Sequence, residues 1–336
     1  MSLDVSGCYG APDAPLVIPH RAGAGLATEN TVRAARRSLA LGHRYLETDA
    51  RTTRDGVVVA FHDRTVGRLA GAGGAISALT WDEVQRLRFR DGTRVARLDA
   101  LLTAWPGVRW AIDIKDPLTL PALLDVLRST GATRRVCLAG TRDRWLAAAR
   151  DGLGEGLATA LGWESIGRLL GWGRFRPPGH GPSYVHVPYP LVRGGGARRV
   201  VARARDAGLR TVVWGLDDPS AMHRLLDAGV DGLISDRADV LREVMVARGA
   251  WAPTGPRAGA QRVGLDPQAG ERVVGRSALP QRAGSDPQAG ERAVGRPTLP
   301  QRAGLDPQVA GSGVGTTGSG AVTLDGPAGA LRAARS

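Results

Sequence analysis

Short apolar runs punctuate the first 250 residues at 16–19, 45–49, 57–61, 108–114, 135–139, 157–161, 184–187, 210–214 and 232–235. Their lengths suit strands buried on both faces. Between most of them lie stretches whose apolar residues recur at helical spacing, at 31–40, 120–127, 198–207, 220–228 and 238–247. This alternation predicts an α/β fold built on a parallel sheet. Nine strands are one more than a (β/α)8 TIM barrel needs. The second and third, however, are separated only by ARTTRDG, in which Asp55-Gly56 is a tight-turn signal. So short a connection suits an antiparallel hairpin, because a parallel return needs a crossover of about a dozen residues or more. Residues 57–61 then form a small hairpin insertion on the rim, and eight strands remain for the barrel. A doubly wound open sheet is the alternative.

The strand–helix pattern stops near residue 250. Residues 251–336 hold 10 Arg and 6 acidic residues, with Trp251 as the only aromatic, which predicts a disordered, low-complexity tail. Within it, 262–281 and 282–301 are identical at 15 of 20 positions, and a partial third copy starts at Arg302. Pro and Gly interrupt each copy, and large apolar residues are too few for a solenoid core. The expected organisation is an N-terminal extension (1–14), a barrel (15–250) and the repeat-bearing tail (251–336).

Composition narrows the function classes. The net charge is +13, yet 44 of the 45 basic residues are Arg and Lys115 is the only lysine. No run of five like charges occurs, and aromatics are not interleaved with the arginines as a base-stacking surface would require, so no nucleic-acid partner is expected. The two cysteines, Cys8 and Cys137, stand alone in the sequence, which excludes a CxxC metal clip. Any metal would need oxygen ligands. No window resembles a membrane helix, and 1–25 lacks a basic start followed by an apolar stretch, so a cytoplasmic protein is expected.

In a barrel the chemistry is expected at the C-terminal ends of the strands. The first strand here ends in His20-Arg21, the second in Glu47-Thr48-Asp49, the rim hairpin in His62-Asp63, and the next barrel strand in Asp113-Ile114-Lys115. Residues two apart on a strand share a face, so Glu47 converges with Asp49 and Asp113 with Lys115. Three crowded carboxylates call for positive charge. A divalent cation, Mg²⁺ or Ca²⁺, on Glu47, Asp49 and Asp113 meets that need; the alternative is surface pairing with Arg51, Arg54 or Arg64. His20 and His62, beside these carboxylates, suit one base and one acid near neutral pH, and Arg21 suits a phosphate oxygen. His43, His180, His186 and His223 carry no such signal.

With these residues in order, the sequence resembles the glycerophosphodiester phosphodiesterase family, within the wider group of phospholipase C-like phosphodiesterases. The resemblance runs through His20-Arg21, Glu29-Asn30-Thr31, Glu47-x-Asp49, Thr53-x-Asp55-Gly56, His62-Asp63 with Arg68, Asp113-x-Lys115, and Gly229-Val230-Asp231-Gly232 with Ser235-Asp236. It implies a barrel, a divalent metal on Glu47, Asp49 and Asp113, and catalytic His20 and His62. It also implies cleavage of glycerophosphodiesters to glycerol 3-phosphate and an alcohol, with a small glycerophosphodiester or lysophospholipid as the partner. Departures are visible. The family's His-Arg-Gly reads His20-Arg21-Ala22, its Glu-x-Lys reads Asp113-Ile114-Lys115, its Ser-Phe reads Ala139-Gly140, and Trp-Thr-x-Asn reads Trp214-Gly215-Leu216-Asp217. Glu29-Asn30-Thr31 reads either as a helix start or as part of the site. Trp214 is either a substrate-binding wall of the mouth or a core residue. Arg21 and Lys115 are expected to clamp phosphate oxygens. The altered rim also fits a different class, a non-catalytic barrel that binds a phosphodiester or phosphorylated ligand.

Overall fold

The computed structural model describes residues 8–10, 15–171, 175–177 and 181–251. The expectations for the repeats, and for 252–336 as a whole, lie outside the described residues. In chain order the strands are β1 (Leu16–Pro19), β2 (Tyr45–Thr52), β3 (Val58–Ala60), β4 (Ala96–Arg97), β5 (Arg109–Ile114), β6 (Val136–Gly140), β7 (Ala158–Thr159), β8 (Tyr184–Pro188), β9 (Arg210–Trp214) and β10 (Gly232–Ser235). The helices are α1 (Val32–Ala40), α2 (Gly67–Ala70), α3 (Trp81–Val84), α4 (Leu98–Ala104), α5 (Thr119–Ser129), α6 (Asp143–Leu153), α7 (Trp163–Leu170), α8 (Gly196–Asp206), α9 (Pro219–Asp227) and α10 (Ala238–Ala247).

All strands but β3 and β4 run parallel, in two ladders, β1-β10-β9-β8 and β2-β5-β6-β7. A parallel bridge from Ala160 to Tyr184 joins β7 to β8, and β1 lies beside β2, so the eight strands ring one interior as a (β/α)8 barrel. Side-chain alternation sorts each strand. Val185 and Val187 of β8 pack outward with Val200 and Val201 of α8, while Tyr184 turns inward against Ile18, Ala160 and Val212. Leu46 and Ala50 of β2 likewise pack outward, which leaves Glu47 and Asp49 to the interior.

The insertion is larger than a hairpin. β3 pairs antiparallel with the end of β2 (Thr52 opposite Val58), as the Asp55-Gly56 turn predicts, but β4 then adds to β3. Residues between them build a separate apolar cluster of Val59, Phe61, Val66, Ile76, Val84, Phe89 and Val95. Two residues make β4 too short for any periodic signal. The turn is held by Thr53 Oγ1 donating to Asp55 Oδ1 (2.6 Å) and by the Trp81 N–H donating to the same carboxylate (2.9 Å).

Two flanking aromatics pack on this barrel. Tyr9 is 7 % exposed and meets Tyr45 and Tyr184 edge to face, each with ring centroids 5.4 Å apart, at the N-terminal end of the strands. Trp251, grouped with the tail by composition, lies edge-on to buried His43 at 5.0 Å. His43 itself bonds the Ala238 carbonyl at 2.9 Å. A chain ending at Arg248 is therefore expected to be about 2 kcal/mol less stable than one ending at Trp251. The chain ending at Trp251 should keep its full turnover, because every candidate site residue precedes it. Thermal denaturation of the two truncations checks this, and equal midpoints would remove Trp251 from the packing account.

Candidate active site

The site starts with an unusual stretch of backbone at the end of β1. Arg21 (φ 48°) and Ala22 (φ 63°) are consecutive left-handed residues, a conformation costing about 1–2 kcal/mol per non-glycine residue. The Arg21 N–H is thereby turned onto Glu47 Oε2 at 2.6 Å. Strain of this kind is retained where it positions chemistry. A glycine at 22 would take the same φ without that cost, which accounts for the family preference from which this chain departs.

Around this turn the expected residues converge. Glu47 and Asp49 lie on the inner face of β2, 6 % and 1 % exposed, and the ladder sets Asp113 of β5 directly beside Asp49. Lys115 Nζ sits between two of these carboxylates, 2.8 Å from Asp49 Oδ1 and 2.7 Å from Asp113 Oδ2. His20 Nδ1 bonds Asp236 Oδ1 at 2.7 Å, and its Nε2 stands 3.8 Å from Glu47 Oε2. His62, carried to the mouth by the insertion, bonds Asp63 Oδ1 through Nδ1 at 2.8 Å. Arg51 Nε donates to the His62 carbonyl at 2.9 Å and fixes that loop. Each histidine thus has its Nδ1 committed to a carboxylate, which leaves Nε2 for chemistry.

Trp214 ends β9 half-buried against the inner cluster beneath the mouth, next to Pro188 and Ile234 in the ladder.

The segment at 29–31 divides between two roles. Thr31 caps α1, its hydroxyl accepting from the Ala34 N–H at 3.1 Å. Asn30 belongs to the site: Nδ2 donates to Asp49 Oδ2 at 2.7 Å, and Oδ1 accepts from Thr48 Oγ1 at 2.7 Å. Glu29 accepts from Arg21 Nη1 at 2.8 Å and from Arg68 Nη1 at 3.0 Å. Arg68 in turn bonds Asp63, the carboxylate that orients His62. A continuous chain of ion pairs therefore runs Arg21–Glu29–Arg68–Asp63–His62 across the mouth.

Burial and charge shift these groups in opposite directions. Burial, then the charge of Asp49, pushes the Glu47 carboxyl up to about 7 against the pull of His20, the Arg21 N–H and Lys115. Burial would also raise Asp49, but Lys115, His62 and Arg21 hold it well below the usual carboxylate range. Burial opposes the charge on Lys115 as well, and Asp113 and Asp49 outweigh it, keeping the ammonium charged. The histidines diverge. Burial would lower His20, yet Glu47, Asp236 and Asp49 raise it, whereas burial and then Lys115 lower His62 in spite of Asp49 and Asp63.

The carboxylates can be tested as metal ligands. All three present hard oxygen donors, and Glu47 is buried without enough positive charge around it, which fits a divalent cation. Among the described residues no three His, Cys, Asp or Glu side chains are drawn together as a ready ligand set, because Lys115 spans Asp49 and Asp113. Glu47 and Asp49 fit a cation best, while Asp113, a methylene shorter than glutamate, is engaged by the lysine.

Comparison with known proteins bears on this geometry. The model of the glycerophosphoryl diester phosphodiesterase family matches residues 20–135 and 176–240, which include every candidate site residue named above. The chain belongs to this family. It is a family of phosphoric diester hydrolases, and one relative is the probable glycerophosphodiester phosphodiesterase 2 of Mycobacterium tuberculosis. That protein is 37 % identical over 233 residues, spanning 66 % of this chain and 87 % of the relative. Among solved structures, a putative glycerophosphoryl diester phosphodiesterase from Silicibacter pomeroyi superposes with a TM-score of 0.62 at 21 % identity, covering 74 % of this chain and 99 % of its own. An Oleispira antarctica phosphodiesterase, solved with its product sn-glycerol-3-phosphate, gives a TM-score of 0.59 at 18 % identity over 69 % of this chain and 97 % of its own. These two share the fold.

Strand-end reasoning did not assign roles to Asp236, Glu29, Asn30, Thr48 or Arg68. Barrel closure would have supplied one of them. Pro19 pairs with Ser235 in the β1–β10 ladder, so the next residues, His20 and Asp236, must be neighbours.

Proposed function

We propose that this family member hydrolyses glycerophosphodiesters to glycerol 3-phosphate and an alcohol, with His20 and His62 as its acid–base pair. One observation carries the reading: two carboxylate-oriented histidines stand at a single mouth with Arg21, Lys115 and three carboxylates. Arg21 and Lys115 hold the phosphate through its non-bridging oxygens. His62, lowered and therefore neutral at pH 7, takes a proton at Nε2 from the attacking hydroxyl, which is water, giving glycerol 3-phosphate directly, or the substrate's own glycerol hydroxyl, giving a cyclic phosphate that water then opens with the two histidines exchanging roles. The bond to phosphorus forms as the bond to the alcohol oxygen breaks. His20, raised and held by Asp236, gives that oxygen its proton. Histidines pushed apart in this way suit opposite roles. A divalent cation, held by Glu47 and Asp49 with Asp113 in reach, would supply neutralisation of phosphate charge.

Membership of the family and the polar mouth support a small-molecule partner. No helix among the described residues is long and apolar enough to cross a membrane.

The expected result with glycerophosphocholine is release of glycerol 3-phosphate in Mg²⁺ or Ca²⁺, loss of release in EDTA, and recovery when cation is returned. Release that EDTA leaves untouched would remove the metal from the reading. No release from a panel of glycerophosphodiesters and lysophospholipids with either cation would favour the non-catalytic binding barrel instead.

A further inference from the structure

His186 sits one pleat above Tyr184 on β8, and the alternation that turns Val185 and Val187 outward turns it into the barrel. It is 9 % exposed, and its Nε2 is buried with no hydrogen-bond partner among the described residues. A buried polar group left unpaired is costly, and such groups in native proteins are nearly always satisfied by something. Cys137 of β6 pairs with Ala158 of β7 low in the barrel, and above that level the two strands present only Ala139 and Ala160 to the interior, so methyl groups line the space below the mouth. At the height of Asp113 the family's Ser is Ala139, which leaves a methyl group there in place of a hydroxyl.

We propose that His186 is a substrate-binding residue that hydrogen-bonds a free hydroxyl of the substrate's glycerol moiety within this alanine-lined recess. The assignment rests on the phosphodiesterase reading for the identity of the ligand and deepens it by naming what selects glycerol. Burial lowers the imidazole to about 4, only partly opposed by Asp113, so the ring is neutral at pH 7. A neutral imidazole offers one donor and one acceptor, which match a hydroxyl and not a phosphate, whose charge Arg21 and Lys115 already meet. A hydrogen-bonding group in an apolar recess also rejects analogues that lack the hydroxyl.

The test compares glycerol 3-phosphate with propyl phosphate, which has the same chain length and no hydroxyls, by calorimetry on the full chain. Wild type is expected to bind glycerol 3-phosphate about tenfold more tightly. His186→Leu should erase that preference by weakening glycerol 3-phosphate alone, leaving propyl phosphate as in wild type. A merely structural role would weaken both ligands together. Should His186→Leu not fold, the wild-type ring decides: its nitrogen resonance must move on adding glycerol 3-phosphate and stay still with propyl phosphate. Equal wild-type affinities, binding of neither ligand, a preference that survives His186→Leu, parallel weakening of both, or an unmoved resonance would each overturn the assignment. Discrimination without turnover would instead sink the phosphodiesterase reading and leave His186 in place.

Discussion

Alanine at His20 or His62 is expected to lower kcat by about 10²- to 10⁴-fold, the usual contribution of a positioned acid or base. Neither change should unfold the barrel, because both rings are about a quarter exposed and make one side-chain hydrogen bond each. If the two act in one proton-transfer sequence, the double variant costs little more than the worse single variant. Asp236→Asn and Asp63→Asn keep the shape and lose the orienting charge, so their losses should fall between wild type and the alanine variants. The pH dependence of kcat/KM adds a sign. His62 is lowered, so activity rises with pH as it loses its proton, below the ordinary histidine value. His20 is raised, so activity falls again at higher pH as the acid is lost. His62→Ala should therefore remove the acidic limb and His20→Ala the alkaline one. Limbs that vanish in the opposite variants would reverse the roles, and single variants of undiminished activity would end the acid–base account.

Period-two alternation makes much of this site legible in the sequence itself. Glu47 and Asp49 had to share a face once 45–49 was read as a strand, and the chemistry then had to lie at its C-terminal end. What alternation cannot show is pairing between distant segments. Asp236 looks like an ordinary residue after β10 until closure places it beside His20, 216 positions away in sequence. Glu29 looks like a helix start because its neighbour Thr31 is one; only the approach of Arg68 from the insertion gives the carboxylate a partner. The insertion shows only as a hairpin in the sequence because its apolar residues are spread over short elements without period and find their order in packing on each other. His186 is silent in the sequence for a related reason. A histidine flanked by valines in a buried strand has no local signature that separates a packed ring from a waiting donor, and the absence of a partner among the described residues appears only in three dimensions.

Lys115 is the residue whose loss should be felt in both stability and rate. Its ammonium pairs with Asp49, 1 % exposed, and with Asp113, and it is the largest favourable influence on the Asp49 charge. Lys115→Met keeps much of the stem volume and leaves Asp49 with Asn30 at 2.7 Å and Arg21 Nε no nearer than 3.8 Å. Removing one partner of a buried pair costs about 3–5 kcal/mol, because the remaining charge is stranded. The pH dependence separates this from lost packing. In wild type the folded pKa of Asp49 is depressed, so its contribution is present above the unfolded value near ~3.9 and is lost as pH falls through the folded value. Without Lys115 the depression loses its largest source and only His62, Arg21 and Asn30 remain, so above that pH Asp49 must stay charged with weaker support or take up a proton. The gap in unfolding free energy between wild type and Lys115→Met should therefore be widest at neutral pH and narrow as pH falls below about 4. Urea titrations at pH 7 and pH 3 measure it. With a phosphate clamp removed, turnover at pH 7 should also drop by about 10²- to 10³-fold. An equal gap at both pH values would mean that Lys115 stabilises the barrel through its hydrocarbon stem, and the charge network between β2 and β5 would have to be rebuilt without it.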